Sequence, residues 1–255
     1  MCEIFGITAD RKVHANELLR EFFSHSCEHR DGWGLAVFDA GYPEVEKEPV
    51  TAEKSAYLMA RLEESIDAAH MAAHIRRATS GVQEYDNTHP FVKRDSSGRM
   101  WTLVHNGHIF EGPMLRKYLS EQRGSTDSER ILCYIVDEID RLSAADTAGE
   151  DARIVLVDQL CRELSPENKL NFILFDGELM YVHTNEPGGV HVRSCSGSKV
   201  FSTKPLTADG WEELPINRLH VYKDAEEIYT GDPHESTYVA DRAKEQELYI
   251  NYSML

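Results

Sequence analysis

Two helical stretches stand back to back in the middle of this chain, with strand-like runs on both sides of them. Over Thr126 to Leu142, the apolar residues Ile131, Leu132, Ile135, Val136, Ile139 and Leu142 recur at helical spacing, and Thr126 with Glu129 fits a capping box. A second helix is predicted over Ala152 to Leu164. A doubly wound parallel sheet needs a crossover, usually a helix, between successive strands. Two adjacent helices break that rhythm. The order therefore predicts an α+β layered fold in which helices cover largely antiparallel sheets.

The flanks supply the strands. Glu3 to Thr8 reads as a strand, followed by a helix capped by Asn16 with Leu18, Leu19, Phe22 and Phe23 on one face. "GWGLAVFDAG" at 32–41 reads as glycine turn, short apolar strand, turn. Thr51 to Ile66 has Tyr57, Leu58, Leu62 and Ile66 at helical spacing, while Ala68 to Ile75 and Met100 to His105 read as buried strands. Leu170 to Phe175 and Leu179 to His183 are joined through Asp176-Gly177, a hairpin signal. Val190 to Arg193, Val200 to Thr203 and Leu219 to Tyr222 follow. No repeat or low-complexity linker interrupts the chain, and Ser143 to Asp151 is the one soft joint, so a single domain over 1–255 is expected.

Charge narrows the function classes. A net charge of −17 repels phosphate backbones and anionic lipid, which argues against nucleic-acid or membrane-surface partners. No apolar run is long enough for a membrane span and no secretion signal opens the chain, so a cytoplasmic location is expected. Five widely spaced cysteines without a CxxC argue against both a disulfide framework and a zinc site. His105 and His108 lack the further partners a metal site needs, so neither a metal nor another cofactor is expected.

Four short stretches could carry chemistry. "MCEIFG" puts Cys2 directly behind the initiator methionine, so that removal of Met1 leaves a thiol and a free α-amine on one residue. Such an amine titrates near ~7.7–8.0 and can serve as the base that activates the thiol. "HNG" at 105–107 places the Asn106 amide beside the Gly107 N–H, two donors for an oxyanion; read alone, Asn-Gly is a turn. "HIRRATSG" at 74–81 carries adjacent arginines at the end of a strand, where alternation sends one inward and the other out. "GSTDSE" at 124–129 puts Asp127 in the first turn of the long helix, where the dipole favours its ionised form. Together they provide a nucleophile with a built-in base, oxyanion donors, and clamps for an anion and a cation. Clamps of both signs suit an α-amino acid head, with the reacting carbonyl some distance away. A γ-glutamyl amide has this shape.

These stretches, with "DGWGLA" at 31–36, "NTHPF" at 87–91, "WTLVHNG" at 101–107 and a weaker "FSTKPLTADGW" at 201–211, follow one another in an order that resembles class II (type 2) glutamine amidotransferase domains, and in particular the free-standing YafJ-like members. The resemblance implies an N-terminal nucleophile hydrolase fold, a four-layer αββα sandwich. It implies Cys2 as nucleophile and its amine as base. Asn106 and Gly107 become the oxyanion hole. Arg76 becomes the grip on the substrate carboxylate, Thr79 a pocket residue and Asp127 the holder of the substrate amine. Trp33, Gly34 and His89 support the site. Arg77 and Ser80 depart from the better-known members, which carry an aromatic and a histidine there, so the rim of the pocket differs. The chain ends soon after the domain, which leaves two expectations: a separate ammonia-accepting synthase as partner, or simple hydrolysis of a γ-glutamyl peptide or thiol compound. A catalytically idle regulatory module keeping the fold is the alternative from another class.

Overall fold

In the computed structural model, which describes residues 2–39, 42–79, 81–144, 149–241 and Gln246, the first strand runs well past its apolar start. Strand β1 spans Glu3–His14; Glu3 to Ala9 are buried, and the charged half beyond them continues the pairing towards solvent. In chain order there follow α1 Asn16–Ser24, β2 Gly32–Asp39, β3 Tyr42–Glu48, α2 Ala56–Glu63, β4 Asp67–Arg76, β5 Phe91–Arg94 and β6 Met100–His108. Next come the paired helices α3 Asp127–Ala144 and α4 Glu150–Leu164, then β7 Lys169–Phe175, β8 Met180–Thr184, β9 His191–Cys195, β10 Ser198–Ser202, β11 Trp211–Glu213, β12 Arg218–Lys223 and β13 Glu226–Thr230. Of the soft joint expected over Ser143 to Asp151, residues 145–148 lie outside the described residues.

The strands form two sheets, ordered β11-β9-β10-β1-β4-β2-β3 and β13-β12-β8-β7-β6-β5. All of their pairings are antiparallel. Three buried clusters define the layers. Leu19, Phe22 and Leu58 of α1 and α2 pack on Phe5, Trp33 and Ile75 of the first sheet. Ile4, Ala36, Ala72, Val104, Ile173 and Phe201 fill the space between the sheets. Ile131, Ile135 and Ile139 of α3 and Val157 of α4 cover Leu103, Leu170 and Leu174 of the second sheet. This is the expected αββα sandwich, with back-to-back helices as one complete outer layer.

Local differences have physical causes. Ala15, not Asn16, stands at the N-cap of α1. Asn16 instead donates to Leu62 O (2.8 Å) and Glu64 O (2.7 Å) and accepts from Ile66 N (2.8 Å), tying α1 to the loop after α2. The helix expected over Thr51 to Ile66 is a 3-10 turn followed by α2, because Ser55 caps there by accepting from Leu58 N. Tyr57 is 53% exposed rather than part of the buried stripe. Glu129 completes only half of the capping box: Thr126 Oγ1 accepts from its N–H, while its carboxylate takes the N–H groups of Arg123 and Gly124. Asp176-Gly177 does lie in the β7–β8 connection, which has four residues, closed by Asp176 Oδ1 on the N–H groups of Glu178 and Leu179.

Candidate active site

The site lies where strand ends from both sheets meet the start of α3. Cys2 precedes β1, whose Glu3 pairs with Ile75 of β4, and this register brings Cys2 beside Arg77. Cys2 Sγ accepts from Arg77 N at 3.3 Å and donates to Arg77 O at 3.4 Å. Burial pushes the thiol's pKa up; the Arg77 N–H and the Arg76 guanidinium pull the other way without reversing the shift. At neutral pH the sulfur is therefore a protonated thiol that needs a base before it can attack. The residue after it is a buried carboxylate: Glu3 meets His25 Nδ1 (2.8 Å) and Lys204 Nζ (2.6 Å), which anchors the start of the strand. Met1 lies outside the described residues.

Strand alternation separates the two arginines as expected. Arg76 is buried and Arg77 is exposed. The Arg76 guanidinium donates to Gly81 O at 2.7 Å and Val82 O at 3.4 Å. Asp31 closes the other end of that loop, accepting from Ala78 N at 2.7 Å while its own N–H reaches Arg76 O at 3.0 Å. Thr79 is half-buried in this loop, and Ser80 lies outside the described residues.

Asn106 and Gly107 are not a turn. They sit inside β6, paired with Asn171 and Leu170 of β7. A Cβ on Gly107 would come within 2.0 Å of Lys169 O and 2.3 Å of His105 Nε2, so glycine is required by close approach. Asn106 is 2% exposed; its Nδ2 donates to Thr203 Oγ1 at 3.5 Å, and its buried Oδ1 has no partner among the described residues. Thr203 Oγ1 also accepts from Ile4 N at 3.0 Å, so one hydroxyl joins the first strand to the asparagine amide. His105 Nε2 faces Lys169 O, which can only accept, so Nδ1 accepts from Ser128 Oγ at 2.9 Å.

Asp127 stands at the first residue of α3. Its carboxylate accepts from Ile109 N (2.8 Å) and Ser128 N (3.0 Å), with His108 Nδ1 at 3.6 Å. Burial pushes its pKa up, but His108, His105 and the Ile109 N–H outweigh this and hold it below the usual carboxylate range. It is ionised, as the helix start predicts.

Cys2, Arg76, Thr79, His89, Gly107 and Asp127 line one cleft of about 20 Å³, joined by Arg77, His105 and Ser128. That volume holds about one water molecule. Asn106 is not among the residues that line the cleft. Gly34 and Trp33 lie outside the lining of the cleft. A Cβ on Gly34 would meet His89 O at 2.0 Å, so its absence lets the 88–90 segment lie on the sheet. Trp33 faces the helical layer, stacked on Tyr57 and donating to Glu48, and supports β2 from there.

Four participants carry no sequence assignment: Asp31, His105, Ser128 and Thr203. Asp31, His105 and Ser128 sit within motifs already singled out, which is the signal that could have found them, whereas Thr203, in the weaker motif at 201–211, reaches Asn106 only through the fold. Among the described residues no group of three or more potential metal ligands converges.

The cleft rests on neutral imidazoles. His74 and His89 stack with centroids 4.0 Å apart, and among the described residues neither ring nitrogen of His89 finds a partner. Burial pushes both pKa values well below the ordinary histidine range, and pushes His105 down to about 4. Unfolded, each titrates near ~6.5. The unfolded chain therefore binds more protons than the folded one below pH ~6.5, so these groups contribute stability above that pH that is lost on acidification. Each proton difference steepens the loss by about 1.4 kcal/mol per pH unit. The melting temperature is expected to fall steeply from pH 6.5 to 4, and much less so in a His74→Phe, His89→Phe double variant that folds; equal slopes would show that other groups set the acid limit.

A family model for class-II glutamine amidotransferases matches residues 1–196. A Haemophilus influenzae protein provisionally assigned as a glutamine amidotransferase is 28% identical, covering 92% of this chain and 90% of its own. Escherichia coli YafJ, with the same provisional assignment, is 29% identical over 72% of this chain and 74% of its own. The solved structure of the Bacillus subtilis glutamine phosphoribosylpyrophosphate amidotransferase superposes on 94% of this chain with a TM-score of 0.66 at 17% identity; the chain spans half the length of that enzyme.

Proposed function

From the premise that the chain belongs to the class-II glutamine amidotransferases, we propose that it cleaves a γ-glutamyl amide, glutamine or a γ-glutamyl compound, through a thioester on Cys2. Glutamate and ammonia or an amine are the products. The observation that carries this reading is the convergence of a thiol, a buried guanidinium and a buried ionised carboxylate on one cleft. In this reading the chain works as one amidotransferase unit. Its five cysteines are free thiols, in keeping with a cytoplasmic setting.

Loss of Met1 frees the α-amine of Cys2, which takes the Sγ proton directly or through a water. The thiolate attacks the γ-carbonyl carbon and the C=O π pair moves onto oxygen. Asn106 Nδ2 and the Gly107 N–H donate to that oxyanion. The C–N bond breaks as the protonated amine returns its proton to the leaving nitrogen, giving a thioester. A water, deprotonated by the same amine, attacks the thioester, and Sγ leaves and is reprotonated. Arg76 holds the substrate carboxylate and Asp127 its ammonium. Thr79 lines the pocket, and His89 supports it with Trp33 and Gly34 behind. A carboxylate reaching Arg76 competes with the Gly81 and Val82 carbonyls for its guanidinium.

A glutamine-analogue electrophile followed by intact mass tests the nucleophile: one adduct, on Cys2, is expected from Met1-free protein, and no adduct would favour the idle module. A panel of glutamine, glutathione and γ-glutamyl thiol derivatives then identifies the substrate, and ammonia release without an acceptor separates hydrolysis from supply to a partner synthase. Arg76→Ala is expected to raise KM at least about tenfold, because a charge-assisted bidentate pair contributes ~1.5–3 kcal/mol and ~1.4 kcal/mol is one decade. Arg77→Ala, on the exposed face, is expected to change KM much less. The reverse pattern would overturn the assignment.

A further inference from the structure

A second, larger cleft of about 550 Å³ opens where β3 and β5, the edge strands of the two sheets, approach the start of α3. Its volume is that of a small-molecule site, and it is separate from the lining of the Cys2 cleft. Lys47, Lys93, Arg94 and Arg123 face it, with Tyr85 and Phe91 in its wall. Asp86, Glu121 and Glu129 also line it, but the Glu129 carboxylate is occupied by two backbone N–H groups. In a chain with 44 acidic residues against 27 basic ones, cations should readily find carboxylate partners. Yet Lys47, Lys93 and Arg123 make no ion pair among the described residues, whose ion pairs lie elsewhere.

Lys47 is the unusual member. Its Nζ donates to Thr88 O at 2.6 Å and Pro90 O at 3.3 Å, and lies 4.7 Å from the Tyr85 ring centroid and 5.4 Å from that of Phe91. Burial lowers its pKa to about 8, although the charges of Asp86 and Glu129 pull it up. An anion beside it would favour its charged form. Tyr85 is 54% exposed and offers a flat apolar face at the mouth.

We propose that this cleft binds a phosphorylated small molecule bearing a planar ring, with the phosphate among Lys47, Lys93 and Arg123 and the ring against Tyr85. Guanidinium and ammonium groups recognise phosphate, and an aromatic face recognises a ring. The site is wired to the Cys2 cleft. The carbonyls that hold Lys47 flank His89, and His89 lines that cleft. An anion that draws the ammonium outward loosens the 88–90 segment. The proposal goes beyond the hydrolysis reading and does not depend on it.

Calorimetry on the full chain tests it without reference to turnover. Adenosine monophosphate is the probe, compared with ribose 5-phosphate and with uncharged adenosine. Saturable binding of the monophosphate is expected, at least about tenfold tighter than either fragment, one decade corresponding to ~1.4 kcal/mol. A Lys93→Ser, Arg123→Ser double variant, which leaves Lys47 and the hydrolytic residues untouched, is expected to weaken that binding at least tenfold. The rate at which iodoacetamide alkylates Cys2, read on the mapped peptide, is expected to change with the ligand bound. No saturable heat up to about 10 mM, or binding unaffected by the double variant, overturns the site. Equal affinity for ribose 5-phosphate overturns the ring contact, and an unchanged alkylation rate overturns the coupling.

Discussion

Cys2→Ala is expected to abolish measurable turnover, a loss on the order of 10⁴-fold or more, while the melting temperature stays close to that of the parent. The side chain is only half-buried, and its hydrogen-bonding contacts are with the Arg77 backbone. Truncation therefore removes the proposed nucleophile without opening a cavity between the sheets. Cys2→Ser should rescue little, because a hydroxyl is a far weaker nucleophile than a thiol under the same base. The same logic applies one residue earlier. Burial keeps the thiol protonated at neutral pH, so chains that retain Met1 lack the free amine at Cys2 and should be as inactive as the alanine variant. N-terminal sequencing of active fractions checks this. Near-wild-type turnover from Cys2→Ala, or from protein with Met1 on every chain, would place the nucleophile or the base elsewhere.

The architecture was legible because the apolar patterns were strong where the layers meet. The α3 stripe from Ile131 to Ile139 and the apolar cores of β1, β4, β6 and β7 all lie in the three buried clusters, while Leu142 at the end of the stripe is only partly buried. Strands at the rim were not legible. β3 reads "YPEVEKE" in the sequence, with alternation hidden by four charged residues, yet it completes the edge of the first sheet. Charge on an edge strand keeps other chains from pairing there, and the same charge masks the strand from a hydrophobicity reading. β5, β11 and β13 are short edge-side strands with the same difficulty.

At the site, residues near one another in sequence were legible and residues that meet only through the fold were not. Arg76 and Arg77 follow from strand alternation, and Asp127 from its helix start. Thr203, which reaches Asn106 from 97 residues away, could not be placed by any local rule. The stack of His74 on His89 likewise exists only because the 88–90 segment lies on Gly34. The Asn-Gly pair illustrates a conflict between levels. Local propensity favours a turn, but seven residue pairs with β7 hold the whole of Thr102 to His108 extended.

That extended placement sharpens what Asn106→Ala should do. If the pair formed a turn, alanine would lower stability and spare kcat. In β6, alanine is compatible with the backbone, and the amide it removes makes a single 3.5 Å contact, with Thr203. The partnerless Oδ1 goes with it, relieving one unsatisfied buried acceptor. Little stability should therefore be lost. The catalytic cost is different in kind. The oxyanion exists only near the transition state, so a donor used there lowers kcat and leaves ground-state binding almost unchanged. Removing one such donor typically costs ~10²–10³ in kcat, and Asn106→Ala is expected in that range with KM preserved. Asn106→Asp should do no better, because it sets a carboxylate against a developing negative charge at a buried position. Thr203→Val offers an intermediate case: the amide remains but loses its hydroxyl partner, so kcat should fall by less than in Asn106→Ala. Measuring kcat, KM and melting temperature on the same preparations decides the matter. A normal kcat with a lowered melting temperature in Asn106→Ala would assign Asn106 to the fold alone and leave Gly107 without its partner donor.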